Sequence, residues 1–405
     1  MTSNRNHMFV VPGHAEALEE LRMHTSSGRA DRLWSRPFAE GIESIFGNAV
    51  LPLALWSQLD WYGPLETWRK PEAEVSDILF NGPAHDPIFV MQRGAMTNTG
   101  VTLHPSWVTF IQRQLLLRAH KLDPLKLDPF ADLVLPDRDY GVADDLRYAI
   151  TTFPFSRGGP TLAIRMLPER WRTLDDMVQS NTISRDAATL ILTGLREGAS
   201  VMVAGSTGSG KTTLAAGFTQ ELGKTARMIY VEDGGELPRT ANSVHLEASS
   251  EGNAFAEAVR FTLRQKPSYV VVGEVRGGEA MAMLQAATTG HPGICTIHAN
   301  DVQSALRNLE RNAMLGLAAQ AGGGGNASAA LVRGLITTSG LLVVHIGPSP
   351  RGRRTVLAVD EVLRQTGQGA SGDAFPTEKL FTYDPHLDGL QRVGTVNAPW
   401  GHGRY

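Results

Sequence analysis

Cysteine is all but missing: Cys295 is the single one in 405 residues. No disulfide can therefore close within the chain, and no cysteine cluster can hold zinc. That usage suits a cytosolic protein. Strong charge of either sign is missing as well. The formal net charge is −3, so no global basic footprint points to nucleic acid, although net charge hides local patches. Long apolar runs are the third absence. The longest, Gly334 to Ile346, is interrupted by Thr337, Thr338, Ser339 and His345. It falls short of the roughly 20 residues a transmembrane helix needs. Met1 to His7 lacks the apolar core of a signal peptide. No direct membrane span is expected, and any membrane association is expected to run through a partner.

What is present is ordinary globular material. The chain is 42% hydrophobic and 20% charged, long enough for two or three domains. Residues 1–70 read as an N-terminal extension, with helices suggested by Trp34, Phe38, Ile42, Ile45, Phe46 and Trp56 and interrupted by Pro52, Gly63, Pro64 and Pro71. Residues 71–178 read as a mixed α/β domain with a linker. Its expected strands are Val75 to Phe80, Ile88 to Gln92, Leu146 to Thr152 and Thr161 to Met166, with a helix over Ser106 to His120. Leu167 to Asn181 is expected to be the linker. In residues 179–365, Ser184 is placed to cap a helix through Leu190 and Leu195. Strands and helices then alternate as in a parallel α/β sheet. The strands are Ser200 to Ala204, Arg227 to Glu232, Tyr269 to Gly273, Ile294 to His298 and Leu341 to Ile346. Gly322 to Gly325 is a flexible break, and Thr355 to Leu363 an expected edge strand. Residues 366–405 are a tail of glycines and scattered aromatics with no assigned role.

One stretch carries chemistry by itself. Gly205-Ser206-Thr207-Gly208-Ser209-Gly210-Lys211-Thr212-Thr213 matches G-x-x-x-x-G-K-[ST]. A buried strand precedes it. A helix with Leu214, Phe218 and Leu222 on one face follows. Glycines let such a loop wrap a phosphate chain with its N–H groups pointing inward, and the helix N-terminus favours an anion. Lys211 is placed for the β- and γ-phosphates of a nucleotide, and the Thr212 hydroxyl for Mg²⁺.

Three further boxes follow. In Tyr230-Val231-Glu232-Asp233-Gly234-Gly235-Glu236-Leu237 a strand ends among three carboxylates. Either one of them, Glu236 past the glycine pair, orients an attacking water, or this is a solvated acidic strand end. In Tyr269 to Glu279 an apolar strand delivers Glu274, an acid placed to hold Mg²⁺. Arg276 beside it senses phosphate or forms a structural salt bridge. In Thr289 to Asn300, His298 closes a strand. It either donates toward the γ-phosphate and holds the neighbouring acids, or is a satisfied structural histidine, as is His291.

In this order the boxes resemble the secretion ATPase superfamily of type II and type IV systems, which includes the motors of type IV pili, Tad pili and conjugative transfer. The resemblance runs from about Val75 to Leu363 and is most specific from Gly205 to Asn300. It implies a RecA-like P-loop ATPase domain with a mixed α/β N-terminal domain. Glu236 matches the family's catalytic glutamate, Glu274 its Walker B glutamate and metal-holding acid, and His298 its second His-box histidine. Arg157 and Arg165, in and after Ser156-Arg157-Gly158-Gly159-Pro160, match arginines that approach the nucleotide. Ser268, Pro292, Ile294 and Cys295 depart from residues common in the family. The single cysteine excludes the four-cysteine zinc insertion of type II assembly ATPases and points toward the Tad and conjugative branches. The resemblance further implies ATP and Mg²⁺, a homo-hexameric ring, a cytoplasmic location peripheral to the inner membrane, and an inner-membrane platform protein as partner. The competing expectations are a nucleic-acid-dependent P-loop motor, of helicase or DNA-packaging type, and a nucleotide-binding regulator with little turnover.

Overall fold

The computed structural model describes residues 65, 68, 73–82, 86–93, 95–102, 105–118, 129–136, 145–152, 155–166, 171–248, 254–321, 326–364 and 374–397. The expected N-terminal extension, apart from Leu65 and Trp68, and the Gly322 to Gly325 break lie outside them. The chain divides into two compact units, the first ending at Arg170 and the second beginning at Trp171.

The first unit is built on a six-stranded sheet. Its strands are β1 (Val75–Phe80), β2 (Pro87–Gln92), β3 (Ala95–Thr102), β4 (Phe130–Pro136), β5 (Asp145–Thr151) and β6 (Thr161–Met166). They lie in the order β3-β2-β1-β6-β5-β4, with antiparallel neighbours throughout. Helix α1 (Pro105–Arg118) contributes Val108, Ile111 and Leu115 to the same core as Ile78, Val90, Tyr148 and Ile164. The four strands and the helix expected here all form. β3 and β4 add to them as the two edges, and β3 leaves little trace in the sequence. The sequence of β3, AMTNTGVT, is largely exposed and has no apolar alternation.

The second unit carries a nine-stranded sheet. Before it come α2 (Leu174–Gln179) and α3 (Arg185–Glu197). The strands and helices that follow are β7 (Ser200–Gly205), α4 (Lys211–Leu222), β8 (Met228–Glu232), β9 (Ser243–Glu247), α5 (Ala254–Thr262), β10 (Tyr269–Val272), α6 (Glu279–Thr288), β11 (Gly293–His298), α7 (Val302–Ala321), α8 (Asn326–Thr338), β12 (Leu341–Pro348), β13 (Arg354–Val362), β14 (Thr377–Asp384) and β15 (Gly389–Arg392). The sheet order is β15-β14-β13-β12-β7-β11-β10-β8-β9. From β12 to β9 all neighbours are parallel; β13 to β15 add an antiparallel flank. Apolar clusters cover both faces, which is why β7, β8 and β10 read as unbroken hydrophobic runs.

Three expectations need correcting. Part of the expected linker is helical: α2 opens with a capping box in which Thr173 and Asp176 satisfy each other's backbone N–H groups, and Leu174 and Met177 join the core of the second unit. The segment around Thr355 to Leu363 is no edge, because β14 pairs beyond it. Part of the tail is sheet, and Leu380 and Phe381 are fully buried. Its strand signal is only Leu380-Phe381 with Tyr383 among polar residues, set after a glycine-rich stretch. Ser184 does cap α3, its Oγ accepting from Ala187 N at 3.3 Å.

Candidate active site

The site lies along the C-terminal edge of the parallel strands. β7 is buried along its whole length between β12 and β11. It ends at Gly205, where an added Cβ would lie 2.4 Å from the Ile346 carbonyl oxygen and 2.4 Å from Ser209 Oγ. Gly208 and Gly210 have φ of +72° and +100°, which glycine adopts at little cost. The three glycines thus answer two demands, close approach for Gly205 and left-handed backbone for the other two. Ser206, Thr207 and Gly208 are exposed, whereas Ser209 is buried and its Oγ has no hydrogen-bond partner.

Lys211 opens α4 and is only 7% exposed. Its Nζ donates to Gly205 O at 3.0 Å and Ser206 O at 2.9 Å, and lies 3.4 Å from His298 Nδ1. Burial pushes the ammonium below its ordinary range, against the pull of the Glu274 charge. The lysine therefore rests on carbonyls that a phosphate oxygen can replace as the stronger acceptor.

His298 ends β11 opposite Gly205. Its Nε2 is 2.7 Å from Glu274 Oε1, and Glu274 Oε2 is 2.5 Å from Arg276 Nη2. Its Nδ1 thus faces the Lys211 ammonium and its Nε2 the Glu274 carboxylate. Lys211, His298, Glu274 and Arg276 form one continuous polar chain, so Arg276 is the salt-bridge partner of the acid expected beside it. The backbone under this chain is fixed. Thr296 Oγ1 donates to Gly273 O at 2.6 Å, Asn308 Nδ2 donates to His298 O at 2.8 Å, and buried Glu279 accepts from Gly277 N at 2.7 Å and Arg276 N at 2.5 Å.

Glu236 sits in the loop after β8, which turns through Gly234 and Gly235 with φ of +113° and +53°. The anchor of that loop is a residue to which the sequence assigns no role of its own. Glu232 is 4% exposed, accepts from Leu237 N at 2.8 Å and lies 3.3 Å from His245 Nδ1. The His245 ring in turn stacks on Tyr230 at 4.2 Å. A charged residue closing a fully apolar strand is the available signal for Glu232. His245 sits in the alternating Ser243-Val244-His245-Leu246-Glu247, a short strand pattern that marks no role for the histidine by itself.

His291 stands apart. It precedes β11, seven residues from His298, which at about 3.3 Å per residue is some 20 Å away at the opposite edge of the sheet. In the first unit, Arg165 Nε pairs with Asp77 Oδ1 at 3.0 Å across the β1–β6 register, and Arg157 is exposed.

The glycine cradle, the orphaned Ser209 hydroxyl and the buried lysine fit a phosphate chain. The Thr212 hydroxyl and Glu274 carboxylate are oxygen donors of the kind Mg²⁺ takes. Among the described residues no group of three or more His, Cys, Asp or Glu could hold a metal. A Mg²⁺ ion shared with phosphate oxygens and water needs none. Among the same residues, no helix is long and apolar enough to cross a membrane.

A P-loop between the central strand and its helix, with acids on neighbouring parallel strands, defines a RecA-like P-loop fold. The chain belongs to the type II/IV secretion system protein family, whose model matches residues 139–345. It is 36% identical over 199 residues to a probable conjugal transfer protein TrbB of Sinorhizobium fredii, covering 48% of this chain and 58% of that one. It is 41% identical over 125 residues to the type IV secretion system protein PtlH of Bordetella pertussis, covering 28% of this chain and 37% of that one. The chain thus spans little more than half the length of the TrbB relative. Among solved structures, the pilus retraction motor PilT with bound ADP aligns with a TM-score of 0.55 at 20% identity, over 75% of this chain and 83% of that one. The ATPase DotB of Legionella pneumophila aligns with a TM-score of 0.53 at 22% identity, over 72% and 78%. Both likenesses show the fold.

Proposed function

We propose that this chain is an ATP-hydrolysing motor subunit of a conjugation-like or other type IV secretion machine. The observation that carries the reading is the polar chain from Lys211 through His298 to Glu274, laid across the mouth of an intact phosphate loop. The kinship to conjugal transfer and type IV secretion proteins supplies the physiological setting.

Loop N–H groups and Lys211 bind the β- and γ-phosphates. Thr212 and Glu274 would hold Mg²⁺, which would neutralise charge developing on the phosphates. Glu236 orients a water and takes its proton as the oxygen attacks the γ-phosphorus in line; ADP leaves with the bridging oxygen. His298 links Lys211 to Glu274, so the state of the phosphates is felt at the acid. Arg157 and Arg165 are assigned the arginine contacts that stabilise charge developing on the phosphates. The working assembly is a cytoplasmic homo-hexamer docked on an inner-membrane platform protein, and ATP-driven closure of its domains moves the cargo.

The test is steady-state ATPase turnover of wild type, Lys211→Ala and Glu236→Gln, with oligomer mass measured alongside and double-stranded DNA added in a parallel series. Both variants are expected to lose at least about 100-fold in kcat, the ordinary contribution of a positioned acid–base or phosphate group. Turnover equal to wild type in both removes the catalytic assignment. Strong stimulation by DNA alone turns the reading toward a nucleic-acid motor.

A further inference from the structure

The hairpin turn between β12 and β13, Ser349-Pro350-Arg351-Gly352-Arg353-Arg354, holds three arginines. Two have carboxylate partners in the second unit itself. Arg351 Nη1 and Arg353 Nη1 lie 3.3 and 3.2 Å from Asp388 Oδ2, and Arg353 Nη2 donates to Asp388 O at 3.0 Å. Asp388 also accepts from Tyr383 OH at 2.5 Å. These contacts, with Arg353 N donating to Ser349 Oγ at 3.3 Å, fix the turn. Arg354 is different. It opens β13 opposite Pro348, is exposed, and meets no carboxylate among the described residues. Its Cδ lies 3.8 Å from the point a Cβ on Gly210 would occupy. Its guanidinium therefore starts its reach beside the residue that caps α4 and precedes Lys211.

The sheet order says which part of a nucleotide this arginine meets. The acids and His298 belong to β11, β10 and β8, on one side of β7. Arg354 belongs to the other side, beyond β12. A phosphate chain whose γ end faces Glu274 has its nucleoside end directed toward β12 and β13. Resting on the nucleotide-binding reading above, we propose that Arg354 is a further binding residue for the nucleotide, a guanidinium contact to its α-phosphate. The Asp388 clamp on Arg351 and Arg353 acts as its positioning device. A planar guanidinium suits phosphate oxygens, and the contact is present in ground state and transition state alike, so it acts on affinity rather than on the chemical step.

The test is calorimetric binding of ADP and of inorganic tripolyphosphate to wild type, Arg354→Ala, Arg354→Lys and Lys211→Ala, together with KM and kcat for ATP. Arg354→Ala is expected to weaken ADP about tenfold and raise KM in step, with kcat nearly unchanged. Tripolyphosphate weakens alongside ADP, and Arg354→Lys recovers part of the loss. Asp388→Asn, which loosens the turn without touching Arg354, gives a smaller loss in the same direction. ADP affinity and KM unchanged in Arg354→Ala overturn the proposal. So does a loss for ADP that tripolyphosphate does not share and lysine does not rescue, which marks a base-stacking arginine. Absence of any nucleotide binding by the wild type instead fails the parent reading, and Lys211→Ala calibrates what full loss of the phosphate site looks like.

Discussion

Replacing Gly205 by alanine isolates the steric requirement of the phosphate loop. The new Cβ would lie 2.4 Å from the Ile346 carbonyl oxygen and from Ser209 Oγ, where ordinary contact begins at 3.4 Å. The Ser209 hydroxyl can rotate away. The Ile346 carbonyl is less free, because Ile346 pairs with Val356 of β13 and directly follows His345, the last β12 residue paired with β7. The strand end or the loop must therefore give by about 1 Å, an overpacking strain of ~1–3 kcal/mol. In a unit of this size each kcal/mol moves the melting temperature by about 2–4 °C, so a fall of roughly 2–12 °C is expected. Displacing Gly205 and Ser206 also moves both carbonyls on which Lys211 rests. ADP affinity should drop at least about tenfold, equivalent to ~1.4 kcal/mol. Gly208→Ala is the comparison. No atom lies within 4 Å of its Cβ position, but φ is +72°. Only backbone strain of ~1–2 kcal/mol is added, and Gly208→Asn, which tolerates that region, should recover part of it. Scanning calorimetry and ADP titration read both effects. Gly205→Ala melting with the wild type and binding ADP equally well would refute the steric reasoning.

Lys211→Met should raise the melting temperature of the nucleotide-free protein and abolish stabilisation by ADP. Burial lowers the lysine's folded pKa beneath its unfolded 10.5, so its charge costs stability once pH falls below that range; the variant's advantage should shrink as pH rises toward 10.5. Glu232→Ala leaves Leu237 N and His245 without their acceptor; a loss of about 1–3 kcal/mol is expected by chemical denaturation, together with a lower kcat that Glu232→Gln partly restores. Phe381→Ala should cost ~3–5 kcal/mol, seen as a large drop in denaturation midpoint, because the ring is 1% exposed in the second unit's core. His345 is held below its ordinary pKa by burial, with Asp301 opposing. The unfolded chain then takes up the proton first as pH falls through 6.5, so stability is lost below that value, and His345→Asn should flatten this part of a stability–pH profile.

Much of the site is legible in the sequence because its elements obey local rules. The loop from Gly205 to Thr213 joins a strand of unbroken hydrophobics to a largely buried helix, and its glycines answer close approach at Gly205 and left-handed backbone at Gly208 and Gly210. Glu274 and His298 each close an apolar strand, so their place at strand ends follows from local pattern. Edge strand β3 leaves little signal because an exposed edge need not show an apolar pattern, and β14 because its two buried residues sit among polar ones. The joining of Lys211, His298, Glu274 and Arg276 and the anchoring of the Glu236 loop by Glu232 and His245 are settled by strand order. That order is a property of crossovers between distant segments, which local sequence does not encode. Chain order alone determined that a phosphate loop and its acids are present. Only the parallel pairing of β7, β11, β10 and β8 decided which of them share an edge and touch, because side chains there come together through hydrogen bonds between strands far apart in sequence.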